Sequence, residues 1–303
     1  MSAHDHGVAG TSQRGRLILV FAITFTVMIA EIFGSILTGS LALLADAGHM
    51  FTDSTGLLIA LIAASLALKP TTSTRTWGYK RAEIIAAAGQ ASLLLAVGGF
   101  VIIEGIRRLF EPPEVGESMM IWFGVIGLIG NVVSLLILSS GRNHNFNMKA
   151  AFLEVLNDAL GSVAVIVAAI VIATTGWLQA DAVVSLLIGA LIIPRTVKLL
   201  RDTINVLMES VPKGLDLMSV REHMLALPHV LDVHDLHATL VASGTPVLSA
   251  HVIVEDSCMT NGHAETLLTD LQQCVAEHFE ISIEHSTFQI ESSTHRDQEN
   301  IHH

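Results

Sequence analysis

The sequence is poor in charge and cysteine, and it lacks two motifs that would assign a chemistry at once. Only 15% of its 303 residues are charged, and its two cysteines, Cys258 and Cys274, have no CxxC spacing. This usage argues against a disulfide framework or a zinc-thiolate site. No GxxxxGKS or GxxxxGKT sequence is present, which argues against ATP-driven pumping, and no HExxH, which an intramembrane metalloprotease would need.

Apolar residues are abundant instead, and they are gathered in six runs. Hydrophobic residues make up 51% of the chain and its mean hydropathy is +0.60, both high for a soluble protein. The runs cover residues 17–38, 41–68, 84–106, 119–138, 150–174 and 177–200. Each is near or above the ~20 residues that cross ~30 Å of hydrocarbon. The sequence therefore predicts a tail over 1–16 and a six-helix transmembrane domain over 17–204.

Basic residues predict how this domain is oriented. If the N-terminus is cytosolic, the outer flanks hold only Arg107 and Arg108. The inner flanks then hold Arg14, Arg16, Lys69, Arg75, Lys80, Arg81, Arg142, Lys149, Arg195, Lys198 and Arg201. This asymmetry follows the positive-inside rule. We expect a multi-pass protein of the cell (plasma or inner) membrane with both termini in the cytosol.

The segment from residue 205 onward has the composition of a separate acidic domain. It holds 15 of the 28 Asp and Glu residues and 3 of the 16 Lys and Arg residues. That balance argues against nucleic acid as a partner and suits a domain that attracts cations. Periodicity predicts an αββαβ order with helices at 216–227 and 263–279 and strands at 230–241, 247–254 and 281–290. We expect a small sheet with helices on one face over 205–291 and a disordered tail over 292–303.

Four ionisable residues inside the predicted spans indicate a cation site. His49 and Asp53 in the second run, and Glu154 and Asp158 in the fifth, are each spaced i, i+4. Each pair therefore shares a helix face, about 5–6 Å apart. An ionisable residue at the centre of a membrane helix costs roughly 2.5–3.5 kcal/mol. A bound divalent cation compensates this cost directly.

Four segments carry a resemblance to a known family. They are residues 40–53 (SLALLADAGHMFTD), 78–83 (GYKRAE), 151–162 (AFLEVLNDALGS) and 233–237 (VHDLH). In these segments the chain resembles the cation diffusion facilitators, in particular their zinc-transporting bacterial branch. The resemblance implies six transmembrane helices, a cytosolic ferredoxin-like domain, a homodimer, and export of Zn²⁺, with Cd²⁺ or Co²⁺, in exchange for protons.

One position departs from that branch. Its members usually carry His where this chain has Glu154, so the ligand set becomes one imidazole and three carboxylates. Zinc accepts carboxylates, but fewer nitrogen ligands weaken discrimination against Mn²⁺ or Fe²⁺, which stay as alternative substrates. Binding requires neutral imidazole and ionised carboxylates, so metal and protons compete for the same atoms. We expect zinc to be the substrate and protons the counter-ion, with no permanent cofactor.

Further polar residues extend the candidate set. Asp46, one turn before His49, is a ligand on the path to the site or an acceptor that orients the imidazole. Glu31 and Asn131 line the cavity or form interhelical hydrogen bonds. In the tail, the resemblance favours His234, His251 and His285 as regulatory zinc ligands, one on each predicted strand. His237 and His263 are further candidates, although His234 and His237 share a site only if the strand has a bulge or a partner subunit contributes.

Two rival classes remain at this stage. A membrane metal sensor that does not transport would keep both sites, and flux distinguishes it from a transporter. A monovalent-cation antiporter would also use buried carboxylates, but His49 favours a divalent transition metal. The sequence predicts a dimeric secondary transporter and not an enzyme.

Overall fold

The structure is a computed structural model that describes residues 6–67, 69–139 and 146–293. The side chains of residues 6–14, 146–150 and part of the second helix, Asp53 among them, lie outside this description. The chain separates into two compact units. Among the described residues, the first comprises 6–62, 87–139 and 146–200, and the second comprises 63–67, 69–86 and 201–293.

Six long helices correspond to the six apolar runs. They are α1 (His6–Thr38), α2 (Leu41–Ala67), α3 (Ala82–Phe110), α4 (Glu117–Ser139), α5 (Phe146–Thr175) and α6 (Gln179–Leu207). Within the described residues, α1 and α3 to α6 each contain a stretch long and apolar enough to cross a membrane. Helix α2 has 27 residues, which is also sufficient length, and it carries the polar residues of the second run. The helical membrane domain is confirmed.

Two helices extend beyond the predicted limits. Helix α1 begins at His6 and not near residue 17, and α6 ends at Leu207, beyond the predicted boundary at 204. Hydropathy identifies only the part of a helix that is apolar enough for the hydrocarbon region of a membrane. The i→i−4 hydrogen bonds continue into a polar segment until the backbone conformation breaks them.

Small residues bring α4 close to its neighbours. Helix α4 packs against α1 and α5. A Cβ at Gly124 would lie 2.8 Å from a side-chain carbon of Ile166 on α5, and one at Gly34 would lie 2.5 Å from the ring of Phe123. Membrane helices use glycine in this way because helix association there depends on close packing.

The N-terminus of α2 is capped by a carboxylate from another helix. Asp181, near the start of α6, is 1% exposed and accepts hydrogen bonds from Ser40 Oγ at 2.5 Å, Leu41 N at 2.8 Å and Ala42 N at 3.1 Å. The Oγ of Ser40 also accepts a hydrogen bond from Leu43 N at 3.2 Å. The first N–H groups of a helix have no intrahelical partner, so these contacts satisfy them and place a negative charge at the positive end of the helix dipole.

The C-terminal elements follow the predicted order. They are α7 (Leu217–Leu225), β1 (Val230–Ala242), β2 (Thr245–Val254), α8 (Asp256–Thr260), α9 (Ala264–Glu277) and β3 (His285–Ser292). The αββαβ order is confirmed, with the short α8 as an unpredicted addition. Strand β2 lies between the other two, antiparallel to β1 and parallel to β3. Most of the predicted disordered tail, residues 294–303, lies outside the described residues, although Ser292 belongs to β3.

Aliphatic side chains from the sheet and both longer helices form the core of this domain. Met224 of α7, Leu248 of β2 and Leu271 of α9 are each 0% exposed and belong to one cluster. Cys258 and Cys274 are free and buried. Burial raises the pKa of the Cys274 thiol, which keeps it protonated and disfavours metal binding there.

We expect Asp181→Ala to destabilise the membrane domain, because three donors lose their acceptor. An unsatisfied buried group costs about 1–3 kcal/mol, so the loss of an acceptor for three donors should lower the free energy of unfolding by roughly 3 kcal/mol or more. The measurement is the loss of helical circular dichroism as SDS is added to the protein in mild detergent. Ser40→Ala is the control, since it removes one donor to Asp181 and the acceptor of Leu43 N and should cost less. Equal stability of Asp181→Ala and the unmodified protein would contradict the role of this cap.

Candidate transport and metal-binding sites

His49 and Glu154, from α2 and α5, share a charged environment with a residue of α6. The charges of Arg195 and Glu154 both act on half-buried His49. Arg195 Nη2 donates to Glu154 Oε1 at 3.3 Å. The sequence prediction treated Arg195 only as a cation at the membrane boundary. Its pairing with Glu154 depends on a contact between residues 41 positions apart in the chain.

Asp158 lies deeper in the helix bundle than Glu154. It is 3% exposed, whereas the side chain of Glu154 is 40% exposed. Asp53 lies on α2, but its side chain is outside the described part of the structure. Over the side chains that are described, three metal-ligating groups come within 4.8 Å of one another only in the C-terminal domain. His49, Glu154 and Asp158 therefore do not form a closed ligand set.

Asp46, Ser162 and Asn131 form a buried polar chain across three helices. Asn131 Nδ2 of α4 donates to Ser162 Oγ of α5 at 3.3 Å, and that hydroxyl donates to Asp46 Oδ2 of α2 at 3.5 Å. All three residues are at most 1% exposed. Asn131 thus makes an interhelical hydrogen bond, one of its two predicted roles. Asp46 contacts a hydroxyl of α5 and lies against Gly161, where a Cβ would be 3.0 Å from its Cγ.

Glu31 of α1 belongs to the same buried region. It is 0% exposed, and among the described residues neither of its carboxylate oxygens has a hydrogen-bond partner. A Cβ at Gly127 would overlap Glu31 Oε1 and lie 3.0 Å from Ser162 Oγ, so the two polar groups meet at this glycine. The charges of Asp46 and Asp158 act on Glu31. A buried carboxylate without donors is costly, so this region favours occupation by a proton, water or a cation.

Three side chains of the C-terminal sheet have the arrangement of a metal site. His234, His251 and Glu291 each offer a ligand atom, all within 4.8 Å of one another. Glu291 Oε1 lies 3.0 Å from His251 Nδ1, and Glu291 Oε2 lies 4.0 Å from His234 Nε2. Among the described residues, Glu291 Oε2 is buried and has no hydrogen-bond partner. Two imidazoles and a carboxylate suit zinc, and 4.0 Å is close to the roughly 3.4 Å between two ligands of one tetrahedral zinc.

A bulge in β1 brings His237 toward this group. The β1–β2 register shifts between His234 and His237, and Asp235 has φ 48°. Asp235 Oδ1 accepts a hydrogen bond from His237 Nε2 at 2.9 Å, and Asp235 Oδ2 lies 3.7 Å from His251 Nε2. The spacing of His234 and His237 predicts a shared site only with a bulge or a partner subunit. The structure has the bulge, with Asp235 between His237 and His251.

The structure does not bring His263 or His285 into this group. His285 pairs with Val247 at the beginning of β3, whereas His251 pairs with Gln289. Four residues along a strand are about 13 Å. His285 instead contacts the ring of Trp77 with centroids 5.3 Å apart. His263 lies immediately before α9.

Glu291 takes the place that the sequence analysis gave to His285. The prediction ended the strand at residue 290 and so left out this carboxylate. The alternation of side chains along the strand could have indicated Glu291. Residues 287, 289 and 291 lie on one face of the sheet, and residue 289 is opposite His251. The parallel register decides which of them lies near the histidines.

Comparison with known proteins identifies the family. The cation efflux transmembrane domain matches residues 17–208, and the cytoplasmic domain of cation efflux proteins, a dimerisation domain (ZT_dimer), matches residues 212–293. The chain belongs to the cation efflux family, whose members are transporters embedded in membranes. The second match indicates dimerisation.

Several named relatives are similar over nearly their whole length. The metal cation efflux system protein CzcD of Cupriavidus metallidurans is 42% identical over 290 residues, 96% of this chain and 90% of that protein. The zinc transporter ZitB of Escherichia coli is 38% identical over 296 residues, 95% and 92% of the two chains. The cadmium, cobalt and zinc/H⁺-K⁺ antiporter of Bacillus subtilis is 37% identical over 294 residues, 96% and 93%.

A solved structure of a relative's domain is similar to part of this chain. It is the metal-bound C-terminal domain of the CzcD transporter from Cupriavidus metallidurans, 34% identical, with a TM-score of 0.22. The match covers 25% of this chain and 99% of that domain.

We expect Gly161→Ala to lower the melting temperature, because the new methyl group would overlap the carboxylate of Asp46. Overpacking of this kind typically costs about 1–3 kcal/mol. Gly99→Ala in α3 is the matched control, since no heavy atom lies within 4 Å of its Cβ position. Alanine is favoured over glycine in a helix by about 0.8–1 kcal/mol, so the control should be neutral or stabilising. Equal melting temperatures for the two variants in detergent would contradict the close contact of Asp46 with α5.

Proposed function

We propose that this protein exports Zn²⁺ from the cytosol in exchange for protons, with Cd²⁺ and Co²⁺ as further substrates. The observation that carries the proposal is the set of ionisable side chains that α2 and α5 hold inside the membrane domain of a cation efflux protein. Named relatives are described as transporters of zinc, cadmium and cobalt. These names support zinc over Mn²⁺ or Fe²⁺ and support transport over sensing without transport.

His49, Asp53, Glu154 and Asp158 are the proposed transport ligands. Each pair lies one turn apart on its helix, and four donors of imidazole and carboxylate type match the tetrahedral preference of zinc. His49 and Glu154 already share an electrostatic environment. Asp158 is nearly buried, which suits a ligand that binds its ion away from water.

Arg195 supplies a positive charge to Glu154. Its guanidinium lies 3.3 Å from Glu154 Oε1. A metal ion that binds Glu154 would compete with the guanidinium for this carboxylate. Protons compete for the same imidazole and carboxylate atoms. Protons from outside would then displace metal outward, and cytosolic metal would displace protons inward.

The protein in this proposal is a homodimer in the inner (plasma) membrane with both termini in the cytosol. The distribution of Lys and Arg between the two sides supports the orientation. The match to a cytoplasmic dimerisation domain supports the dimer and the cytosolic location of the C-terminal domain. Transport without covalent chemistry makes the protein a carrier and not an enzyme.

The C-terminal group of His234, His251 and Glu291 is the proposed regulatory zinc site. Glu291 would bind through its carboxylate and the two histidines through ring nitrogens, with Asp235 and His237 beside them. The domain is acidic, so bound zinc neutralises part of the charge that separates two copies. Metal binding would thereby draw the two C-terminal domains of a dimer together.

Zinc flux into proteoliposomes under an imposed pH gradient tests the transport proposal. We expect Asp158→Ala to abolish flux, because the site loses the more buried of its two α5 ligands. Glu154→His should keep flux and increase the preference for Zn²⁺ over Mn²⁺, since a nitrogen ligand replaces an oxygen ligand. Glu111→Ala, an exposed acid between α3 and α4, is the control and should transport normally.

Three outcomes of the flux assay would contradict parts of the proposal. Absence of flux for every metal in the unmodified protein would move it to the class of sensors. Zinc flux that does not respond to the pH gradient would disprove proton exchange while leaving export intact. Normal flux in Asp158→Ala would place the transport site elsewhere.

We expect Glu291→Gln to uncouple regulation from transport. The variant should bind one zinc fewer per chain, and the cytosolic-side zinc concentration for half-maximal flux should rise by on the order of 10-fold, while the maximal flux is kept. Metal analysis and concentration-dependent flux measure the two effects. Glu284→Gln, exposed just before β3, serves as control. An unchanged stoichiometry in Glu291→Gln would rule out this carboxylate as a ligand.

A further inference from the structure

A second group of metal-ligating side chains lies where β1 begins, β2 ends and α9 begins. We call His229, Glu255 and His263 the edge cluster. Glu255 N donates to the backbone oxygen of His229 at 3.1 Å, and His229 Nδ1 donates to Glu255 Oε2 at 3.0 Å. A backbone bond and a side-chain bond therefore join the same two residues. This pairing fixes the imidazole relative to the end of β2.

The ring of His263 lies beside the ring of His229. Their centroids are 5.8 Å apart with an interplanar angle of 40°. Two imidazoles on one tetrahedral zinc, with Zn–N bonds of about 2.0–2.1 Å, have ring centres roughly 5 Å apart. The rings of His234 and His251 are 5.2 Å apart. A small side-chain rotation thus suffices for His229 and His263 to share an ion.

Two hydrogen bonds hold Glu255 beside the His229 imidazole. His229 Nδ1 donates to Glu255 Oε2 at 3.0 Å, and Ser257 Oγ donates to the same oxygen at 3.3 Å. A carboxylate that accepts from Nδ1–H fixes the tautomer and leaves Nε2 as the metal ligand. His229 also has φ 67°, a conformation that residues other than glycine adopt rarely.

The edge cluster is separate from the group of His234, His251 and Glu291. Val230, next to His229, pairs with Val254, whereas His234 pairs with His251. His229 and His234 are five residues apart along β1, which corresponds to about 16 Å of extended strand. The two groups have no residue in common.

We propose that His229 and His263 bind a divalent transition metal of the zinc type, with Glu255 as the positioning residue that orients His229. All three residues are exposed, so water completes the coordination and the site binds more weakly than the buried group. Nitrogen ligands select against Mg²⁺ and Ca²⁺, which prefer oxygen. The proposal concerns binding in the C-terminal domain and does not depend on transport.

A second histidine pair in the same domain provides an internal comparison. His223 and His278 have ring centroids 6.0 Å apart. His223 Nδ1 donates to the carbonyl oxygen of Ser219 at 2.8 Å, and its ring packs edge-on against Phe279 at 5.1 Å. In these contacts the imidazole is oriented by a neutral carbonyl and not by a carboxylate. This pair tests whether proximity of two imidazoles alone is sufficient.

Histidine labelling of the full chain in detergent tests the proposal. Diethyl pyrocarbonate modification, located by mass spectrometry, is followed while Zn²⁺ is added. We expect His229 and His263 to become protected at zinc concentrations that leave His223 and His278 reactive, and to stay protected in His251→Ala. In Glu255→Gln, which keeps an acceptor oxygen, the half-protecting concentration at His229 and His263 should rise about 10–100-fold, while that at His234 stays unchanged.

Three outcomes would overturn the proposal. Unchanged modification of His229 and His263 at all zinc concentrations would show that no ion binds there. Protection that disappears in His251→Ala would assign the effect to the buried group, and equal protection by Mg²⁺ would show a general ionic effect. His263→Gln provides a second variant, because it should remove protection at His229 even if Glu255→Gln does not fold.

Discussion

Charge inside a low-dielectric helix bundle is the constraint on which the membrane domain depends. Glu31, Asp46 and Asp158 are all nearly inaccessible to water, and His49 and Glu154 lie about one helical turn from Asp46 and Asp158 along α2 and α5. The charged form of each side chain is costly unless a partner is present. Asp46 accepts a hydrogen bond from the Ser162 hydroxyl, and Glu154 accepts one from the Arg195 guanidinium. A transported cation is the remaining partner, so stability and transport draw on the same side chains.

Glycine makes this arrangement possible at two positions. Gly127 of α4 leaves room for the carboxylate of Glu31, and Gly161 of α5 leaves room for that of Asp46. In both cases a polar group of one helix lies against the bare backbone of another. Any larger residue would move a carboxylate away from Ser162, which lies between them. The glycines therefore determine where the buried charges are, although they carry no chemistry themselves.

The sequence predicted the local features of the fold well and its long-range contacts poorly. Apolar runs predicted six helices, and alternation predicted β1, β2 and most of β3. Both signals depend on residues that are close together in the sequence. The pairing of Glu154 with Arg195, and the capping of α2 by Asp181, join residues 41 and about 140 positions apart. Periodicity contains no information on such pairs. The presence of Glu291 beside the two histidines, where His285 was predicted, has the same explanation. The parallel register of β3 places Gln289 opposite His251, and this register is a long-range contact.

Capping by Asp181 gives α2 one fixed end. The helix rises about 1.5 Å per residue, which puts His49 about 12 Å and Asp53 about 18 Å from Leu41. A rotation of α2 about its capped end therefore moves Asp53 half as far again as His49. A tilt of α2 about the end that contacts α6 would therefore displace the two proposed ligands, one turn apart, by unequal amounts. It would change the shape of the proposed ion site as well as its position.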